Sequence, residues 1–483
     1  MNIALNQENF EYDVRSLVQS FYPGEKANIK TAEALREEGL EPDISVELND
    51  NGIAFYYRDE APETLLYSDI VPGDAAKEFK WEFKRRFYRL LSVHTKKTLP
   101  WGALIGIRPT KLAMDMLKSG VPEEEIPAKM KEKYLLSDEK AALCLEIASR
   151  EKKILDGLTP EKGYSLYIGI PFCPSTCLYC SFTSYPISVY EKKGLVDEYL
   201  SALMKEITET RELMKGCVCD TIYIGGGTPS SLSADRLDRL LTHIESLYDV
   251  TALREFTVEA GRADSITRDK LKVMKAHHVS RISVNPQTMK DETLKLIGRH
   301  HNAEDVREAF KMAREEGFDN INMDLILGLP GEGPQDVRYT MEQVSYLSPE
   351  NVTVHSLAIK RASKMGDFIR EKGFEMISNT DETMKIASEA CADMGLKPYY
   401  LYRQKNMSGN FENTGFAREG KNGIYNILIM EEVQSIIACG AGTISKRVYP
   451  DGRIERCDNV KDVPLYIKDI DEMIERKKKL FLA

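Results

Sequence analysis

Cys173-Pro-Ser-Thr-Cys177-Leu-Tyr-Cys180 places three cysteines within eight residues, in a stretch from 163 to 190 that carries no Asp, Glu, Lys or Arg. Thiolates spaced in this way on one loop can converge on a single inorganic centre. Iron–sulfur clusters are held by Cys thiolates, whereas a structural zinc site normally takes a fourth protein ligand. Three core thiols or a zinc knuckle are the competing readings, but a loop broken by Pro171 and Pro174 is a poor place to bury thiols for packing alone. The same prolines, with Pro186, argue against a membrane-spanning helix here. The other cysteines, at 144, 217, 219, 391, 439 and 457, are scattered, and the odd total of nine does not suggest a disulfide framework.

A second signal is Gly225-Gly226-Gly227-Thr228-Pro229. Glycines let the backbone approach a ligand closely, and Pro229 sets the turn into the following segment. Further on, Glu259, Gln287 and Asp324 stand at expected strand ends, where a packed interior prefers apolar side chains. One such residue reads as a satisfied core polar group; three on successive strand ends point to a shared ligand.

These residues need a scaffold that brings strand ends together. From about residue 165 short apolar runs alternate with longer amphipathic ones, and strands are expected at 165–170, 221–226, 255–260, 281–286, 320–327 and 351–357. They read as apolar or β-branched on both faces, as buried parallel strands are. Helical stretches such as 196–214 and 303–317 lie between them, the latter ending at a capping Gly317. Six alternations imply right-handed βαβ units and a parallel sheet, open or closed, with its ligand at the carboxyl ends of the strands.

Residues 1–155 read as a separate α+β accessory domain, with a hairpin across 43–60 turning at Asn51-Gly52, a helix over 77–93 and a packing segment at 101–112. Residues 156–358 form the core, and 359–483 a substrate-side extension with a helix near 381–394, a Tyr-rich run at 397–407 and a Gly-rich one at 436–446. The 483 residues are 42% hydrophobic and 29% charged, with 66 Lys and Arg against 76 Asp and Glu, a formal charge of −10. That balance argues against a general nucleic-acid or anionic-membrane binder. The amino terminus, MNIALNQENF, has neither a basic nor an apolar targeting run, so a cytoplasmic location is expected.

LYIGIPFCPSTCLYC, IYIGGGTPSSL, LKLIGRHHN and INMDLILGLPGE together resemble the radical SAM enzymes, within them the oxygen-independent coproporphyrinogen III oxidase group. SFTSYP, GIRPTKL and ENTGFAREGKNGIYNI resemble the HemZ-type coproporphyrinogen dehydrogenases of that group. The resemblance implies an α/β fold, an incomplete parallel (β/α)6 barrel. It implies a [4Fe–4S] cluster on Cys173, Cys177 and Cys180, with one iron left open for the amino and carboxylate groups of S-adenosyl-L-methionine (SAM). By the same resemblance Tyr167, Tyr179, Gly225, Gly226, Gly227, Thr228, Glu259, Gln287, Arg299, Asp324 and Ser356 contact SAM. Arg299 suits the methionyl carboxylate because its planar fork binds carboxylates bidentately. The implied reaction takes hydrogen from the β-carbon of a propionate by a 5′-deoxyadenosyl radical; loss of CO₂ and an electron then leaves a vinyl group. A small tetrapyrrole and an electron donor such as flavodoxin or ferredoxin are the implied partners, with no nucleic acid and no membrane.

Two departures keep a second reading open. Where the group's decarboxylases carry a fourth cysteine and a first-strand His, this chain has Phe182 and Gly169, and a Phe at the former place also occurs in the related haem chaperones (HemW-type). A tetrapyrrole with several carboxylates needs compensating charge. The candidates are Lys360, Arg361, Arg403 and Lys405, with His300 and His301 as further donors, and each is equally a solvated surface group.

Overall fold

The computed structural model describes every residue except 23, 50, 51, 59, 61, 62, 67–74, 107, 160, 361, 362, 374, 375, 405–410 and 483. The chain forms two compact units, Met1–Ser149 with Tyr402–Glu412, and Arg150–Leu401 with Asn413–Ala483.

In the first unit, β1 (Asn2–Leu5), β2 (Asn28–Lys30), β3 (Ile44–Asn49), β4 (Gly52–Tyr57) and β5 (Glu63–Leu66) form a sheet in the order β2-β1-β3-β4-β5. The expected hairpin is β3–β4, paired antiparallel from Ile44↔Tyr57 to Asn49↔Gly52; Asn51 of its turn lies outside the described residues. Helices Glu11–Phe21 and Ala75–Thr95 contribute Val14, Leu17, Phe21, Phe83 and Phe87 to its apolar core. Trp101 is fully buried, and its indole donates to Glu412 at 2.7 Å, as does Lys140 at 2.7 Å.

Among the described residues the second unit holds a two-stranded sheet and a sheet of 11 strands. Six of them, β6 (Gly163–Ile170), β9 (Val218–Gly226), β10 (Glu255–Gly261), β11 (Arg281–Val284), β12 (Ile321–Leu327) and β13 (Asn351–Ser356), are the six expected from sequence and run parallel side by side. Two-residue strands β7 (Phe172–Cys173) and β8 (Tyr185–Pro186) brace the cysteine loop. The intervening helices start and stop as their sequences dictate: Ala303–Glu315 opens on an Asn302–Asp305 capping box and gives way to Gly317 at φ +85°.

Residues 359–483, expected as a substrate-side extension that completes the barrel, continue this sheet. β14 (Lys397–Tyr402) and β15 (Asn413–Ala417) extend it beyond β13, while β16 (Ser435–Cys439) adds a seventh parallel strand beside β6 and leads into β17 (Ile444–Val448) and β18 (Ile454–Asp458). The order β14-β15-β13-β12-β11-β10-β9-β6-β16-β17-β18 has two free ends, so the barrel is incomplete.

The expectation of strands apolar on both faces is corrected. Leu166, Ile168, Ile222, Ile224, Phe256, Val258, Met323, Leu325, Val352 and Val354 pack in the core formed with the helices. Their sequence neighbours alternate onto the other face, and these are polar. Thr221 there donates to Ser165 at 2.8 Å, Thr257 to Glu255 at 3.0 Å, and Thr353 to Asn322 at 3.0 Å. A parallel sheet lined in this way encloses a polar interior suited to a ligand.

Candidate functional site

The parallel strands of the barrel are mostly buried, and each of several carries a half-buried residue on that polar face. Tyr167 is the half-buried position of β6, Tyr223 of β9, Glu259 of β10, Asp324 of β12 and His355 of β13. Period-two alternation puts all of them on the interior, and their contacts agree. Tyr167, Tyr223 and Tyr425 stack, with Tyr223 and Tyr425 ring centroids 4.5 Å apart, and the Tyr223 hydroxyl donates to Glu259. His355 Nε2 lies 3.8 Å from Asp324 Oδ1, which also accepts from Asn322 Nδ2 at 2.7 Å. Burial pushes the Glu259 carboxyl up to about 7, with the nearby Asp324 adding to the effect. Burial acts on Asp324 in the same direction, but hydrogen bonds from His355, Asn322 and Thr353 hold it below the usual carboxylate value.

The cysteine loop sits at the carboxyl end of β6. Cys173 and Cys177 are buried, Cys180 is half-buried, and all three thiols are free. They act on one another electrostatically, and burial pushes the Cys173 and Cys180 thiols up. Contacts from three segments hold the loop. Thr228 Oγ1 is 3.4 Å from Cys173 Sγ, Leu178 N donates to Ile297 O at 2.9 Å, and Ser175 Oγ donates to Gly298 O at 3.2 Å. From below, Arg262 donates to Ser175 O at 3.0 Å and reaches Cys177 Sγ at 3.8 Å, itself paired with Asp264.

Arg299 is buried; its Nη1 donates to Asn285 O at 2.7 Å and its Nη2 to the Tyr179 hydroxyl at 3.0 Å. Its Nε has no partner among the described residues. The glycines are needed sterically. A Cβ on Gly227 would stand 2.5 Å from Phe172 O, and one on Gly225 2.9 Å from Glu259 Oε2, while Gly226 has φ +105°. Gln287 is buried at φ +70°, a conformation costly for a side-chain-bearing residue, and bonds β12 through Asp324 O and Ile326 N, both at 2.9 Å.

These residues fit the two expected groups. Three free thiols on one loop, backed by two guanidinium groups, suit a thiolate-held iron–sulfur centre. Among the described residues no three His, Cys, Asp or Glu side chains surround a single metal ion, and a multi-iron cluster does not ask them to. The Arg299 Nε, without a partner among the described residues, suits the carboxylate of an amino-acid ligand next to that centre.

Some sequence candidates stand elsewhere. Ser356 follows His355 and therefore faces outward, where its hydroxyl bonds Asn379 at 3.0 Å and Met384 Sδ at 3.6 Å, so it does not belong with the interior residues. Arg403 belongs to the first unit, its guanidinium buried over the Trp101 ring and donating to Leu104 O at 2.6 Å, which is a packing role. His301 is buried 3.6 Å from Asp264, within the support beneath the cysteine loop, and His300 is exposed. Lys360 stays a candidate: half-buried, its ammonium lies 5.8 Å from the ring centroid of Phe182, which is 70% exposed. Arg361 and Lys405 lie outside the described residues. Tyr223, Asn285, His355 and Tyr425 were missed, although the alternation T-I-Y-I-G and N-V-T-V-H marks the first and third of them.

Residues 167–344 match the model of the radical SAM superfamily. The chain is 41% identical over 466 residues to the oxygen-independent coproporphyrinogen-III oxidase-like protein HemZ of Bacillus subtilis, covering 94% of this chain and 91% of that one. It is 40% identical over 197 residues to the heme chaperone HemW of the same organism, covering 41% of this chain and 51% of HemW. Among solved structures, coproporphyrinogen III oxidase (HemN) from Escherichia coli superposes with a TM-score of 0.52 at 22% identity, covering 67% of this chain and 73% of HemN, a likeness of fold.

Proposed function

Because the chain belongs to the radical SAM superfamily, in the family of the coproporphyrinogen-III oxidase-like protein HemZ, whose members use a [4Fe–4S] cluster and SAM, we propose that it oxidatively decarboxylates propionate side chains of coproporphyrinogen III without oxygen. The observation that carries this reading is the similarity to HemZ along 94% of the chain, first unit included. When bound, the cluster and SAM supply one electron and a carbon-centred radical that takes hydrogen from the propionate β-carbon.

The chain's own residues hold and orient. Cys173, Cys177 and Cys180 provide thiolates, and Arg299 Nε offers its free N–H to the methionyl carboxylate. Gly225, Gly226, Gly227 and Thr228 let the backbone come close, Glu259 and Gln287 take the methionyl and ribose part, Asp324 the ribose or adenine side, and Tyr167 and Tyr179 line the adenosyl pocket. The buried barrel wall keeps bulk water away from a reactive intermediate. Lys360, whose ammonium lies 5.8 Å from the Phe182 ring centroid, is the candidate for a substrate carboxylate. Low-potential electrons come from a donor such as flavodoxin or ferredoxin.

A second reading, a haem-binding radical SAM protein without decarboxylase activity, is favoured by 40% identity to HemW over 197 residues and by the exposed Phe182 in place of a fourth cysteine. Anaerobic incubation of reconstituted protein with SAM, a reductant and coproporphyrinogen, followed by mass spectrometry of the tetrapyrrole, separates the two. Vinyl products support the oxidase. Unchanged tetrapyrrole with stable haem binding supports the other.

A further inference from the structure

The interior face of β11 carries Arg281 and Ser283 and continues to Asn285, the first half-open residue of that column. Arg281 is 2% exposed and Ser283 3%. Both have polar atoms without any partner among the described residues: Nε and Nη2 of Arg281 and Oγ of Ser283. Glu255, which acts electrostatically on Arg281, is engaged elsewhere, accepting from Ile424 N at 2.6 Å, Tyr425 N at 3.4 Å and Thr257 Oγ1 at 3.0 Å. The guanidinium is held close, since a Cβ on Gly423 would stand 3.3 Å from Arg281 Cζ and 2.8 Å from the Tyr399 hydroxyl. Buried polar groups are hydrogen-bonded in native proteins, so two idle N–H donors and an idle hydroxyl on one strand face call for an occupant.

We propose that Arg281 and Ser283 form a carboxylate seat at the floor of the barrel interior, which takes the carboxylate of the propionate arm that reacts. This rests on the tetrapyrrole reading given above. The planar fork of an arginine with two idle N–H groups matches a carboxylate bidentately, and the serine hydroxyl supplies a third donor. Placement agrees with the chemistry. Arg281 to Asn285 spans about 13 Å of strand at about 3.3 Å per residue, much of which the arginine side chain covers, and the half-open interior residues lie above. Glu259 and Asp324 in that upper layer repel a carboxylate, whereas at the floor the Arg281 guanidinium stands against the buried Glu255 carboxylate, whose oxygens are already taken by Ile424 N, Tyr425 N and Thr257 Oγ1.

The test uses reconstituted full-length protein and three probes: coproporphyrin III, its uncharged tetramethyl ester, and propionate at millimolar concentration. Binding is read by fluorescence quenching for the tetrapyrroles and by thermal shift for propionate. Ser283→Ala and Arg281→Lys are compared with wild type, the lysine retaining charge in case a neutral substitution does not fold. Coproporphyrin III is expected to bind at least tenfold more weakly to each variant, with the ester unaffected and the propionate thermal shift lost. Equal effects on acid and ester, or none on either, would overturn the seat and leave buried water as its occupant. Failure of wild type to bind either tetrapyrrole, with a propionate shift that depends on Arg281, would overturn the tetrapyrrole reading while sustaining the carboxylate seat.

Discussion

Arg299 Nη2 donates to the Tyr179 hydroxyl at 3.0 Å, so a residue following β11 reaches into the cysteine loop one position before Cys180. Its Nη1 is tied to Asn285 O at 2.7 Å, at the mouth of the barrel interior. One guanidinium thus links the loop that holds the thiols to the strand end beside the ligand interior, with Nε left over.

That link separates two effects. Arg299→Ala should weaken SAM binding by about 1.5 to 3 kcal/mol, the range for a hydrogen bond to a charged group. It should also lower the yield of cluster reconstitution by freeing Tyr179. Tyr179→Phe removes the hydroxyl that ties the loop to Arg299 but keeps the ring, and should leave SAM affinity within about twofold of wild type. Equilibrium dialysis with labelled SAM and iron analysis on both variants check this, and wild-type affinity in Arg299→Ala would remove Arg299 from the site.

Cys173→Ala, Cys177→Ala and Cys180→Ala should each abolish a normal cluster on anaerobic reconstitution, read as iron, sulfide and visible absorbance. Cys439→Ala should not, because that thiol is buried in β16 against Thr210 Oγ1 at 3.4 Å. A full cluster in any of the first three variants would disprove the ligand set.

Gly227→Ala tests the steric fit. A new Cβ 2.5 Å from Phe172 O and 2.9 Å from Ile170 O must push β9 away from the cysteine loop. Overpacking of this kind costs about 1 to 3 kcal/mol. Thermal melts should show that loss, together with impaired reconstitution.

Glu259 gives a pH dependence whose sign is set by burial. The fold raises its carboxyl from 4.5 to about 7, favouring the protonated form. Its stabilising contribution is therefore complete below pH 4.5 and disappears as pH rises through 7. Glu259→Gln, neutral at every pH, should match wild type below pH 4.5 and exceed it at pH 8 by about 3 kcal/mol, measured by denaturant unfolding of the cluster-free protein. Equal stabilities at pH 8 would show that the carboxylate is solvated.

The chemistry-bearing residues were largely legible because they break local rules: three thiols on a Pro-rich loop, three consecutive glycines, and carboxylates at strand ends. All six parallel strands were also readable. Their interior was not, since runs such as SLYIGI and EFTVEA look apolar on average while period-two alternation splits them into an apolar outer face and a polar inner one. The same parity explains Ser356, chosen one residue away from His355. Arg403, a cation in a Tyr-rich run, reads as a candidate for substrate carboxylates or as a solvated group, whereas tertiary packing buries it over Trp101. Strand β16 hid in a Gly-rich segment, its pairing with β6 being a contact across more than 250 residues of sequence.

The most direct measurement follows the hydrogen atom. Reconstituted protein is incubated anaerobically with SAM, a reductant and coproporphyrinogen III deuterated at the propionate β-carbons, and both products are analysed by mass spectrometry. Deuterium recovered in 5′-deoxyadenosine, together with vinyl groups on the tetrapyrrole, is the expected result. Unlabelled 5′-deoxyadenosine beside unaltered coproporphyrinogen, with haem bound and passed to an acceptor, would contradict it.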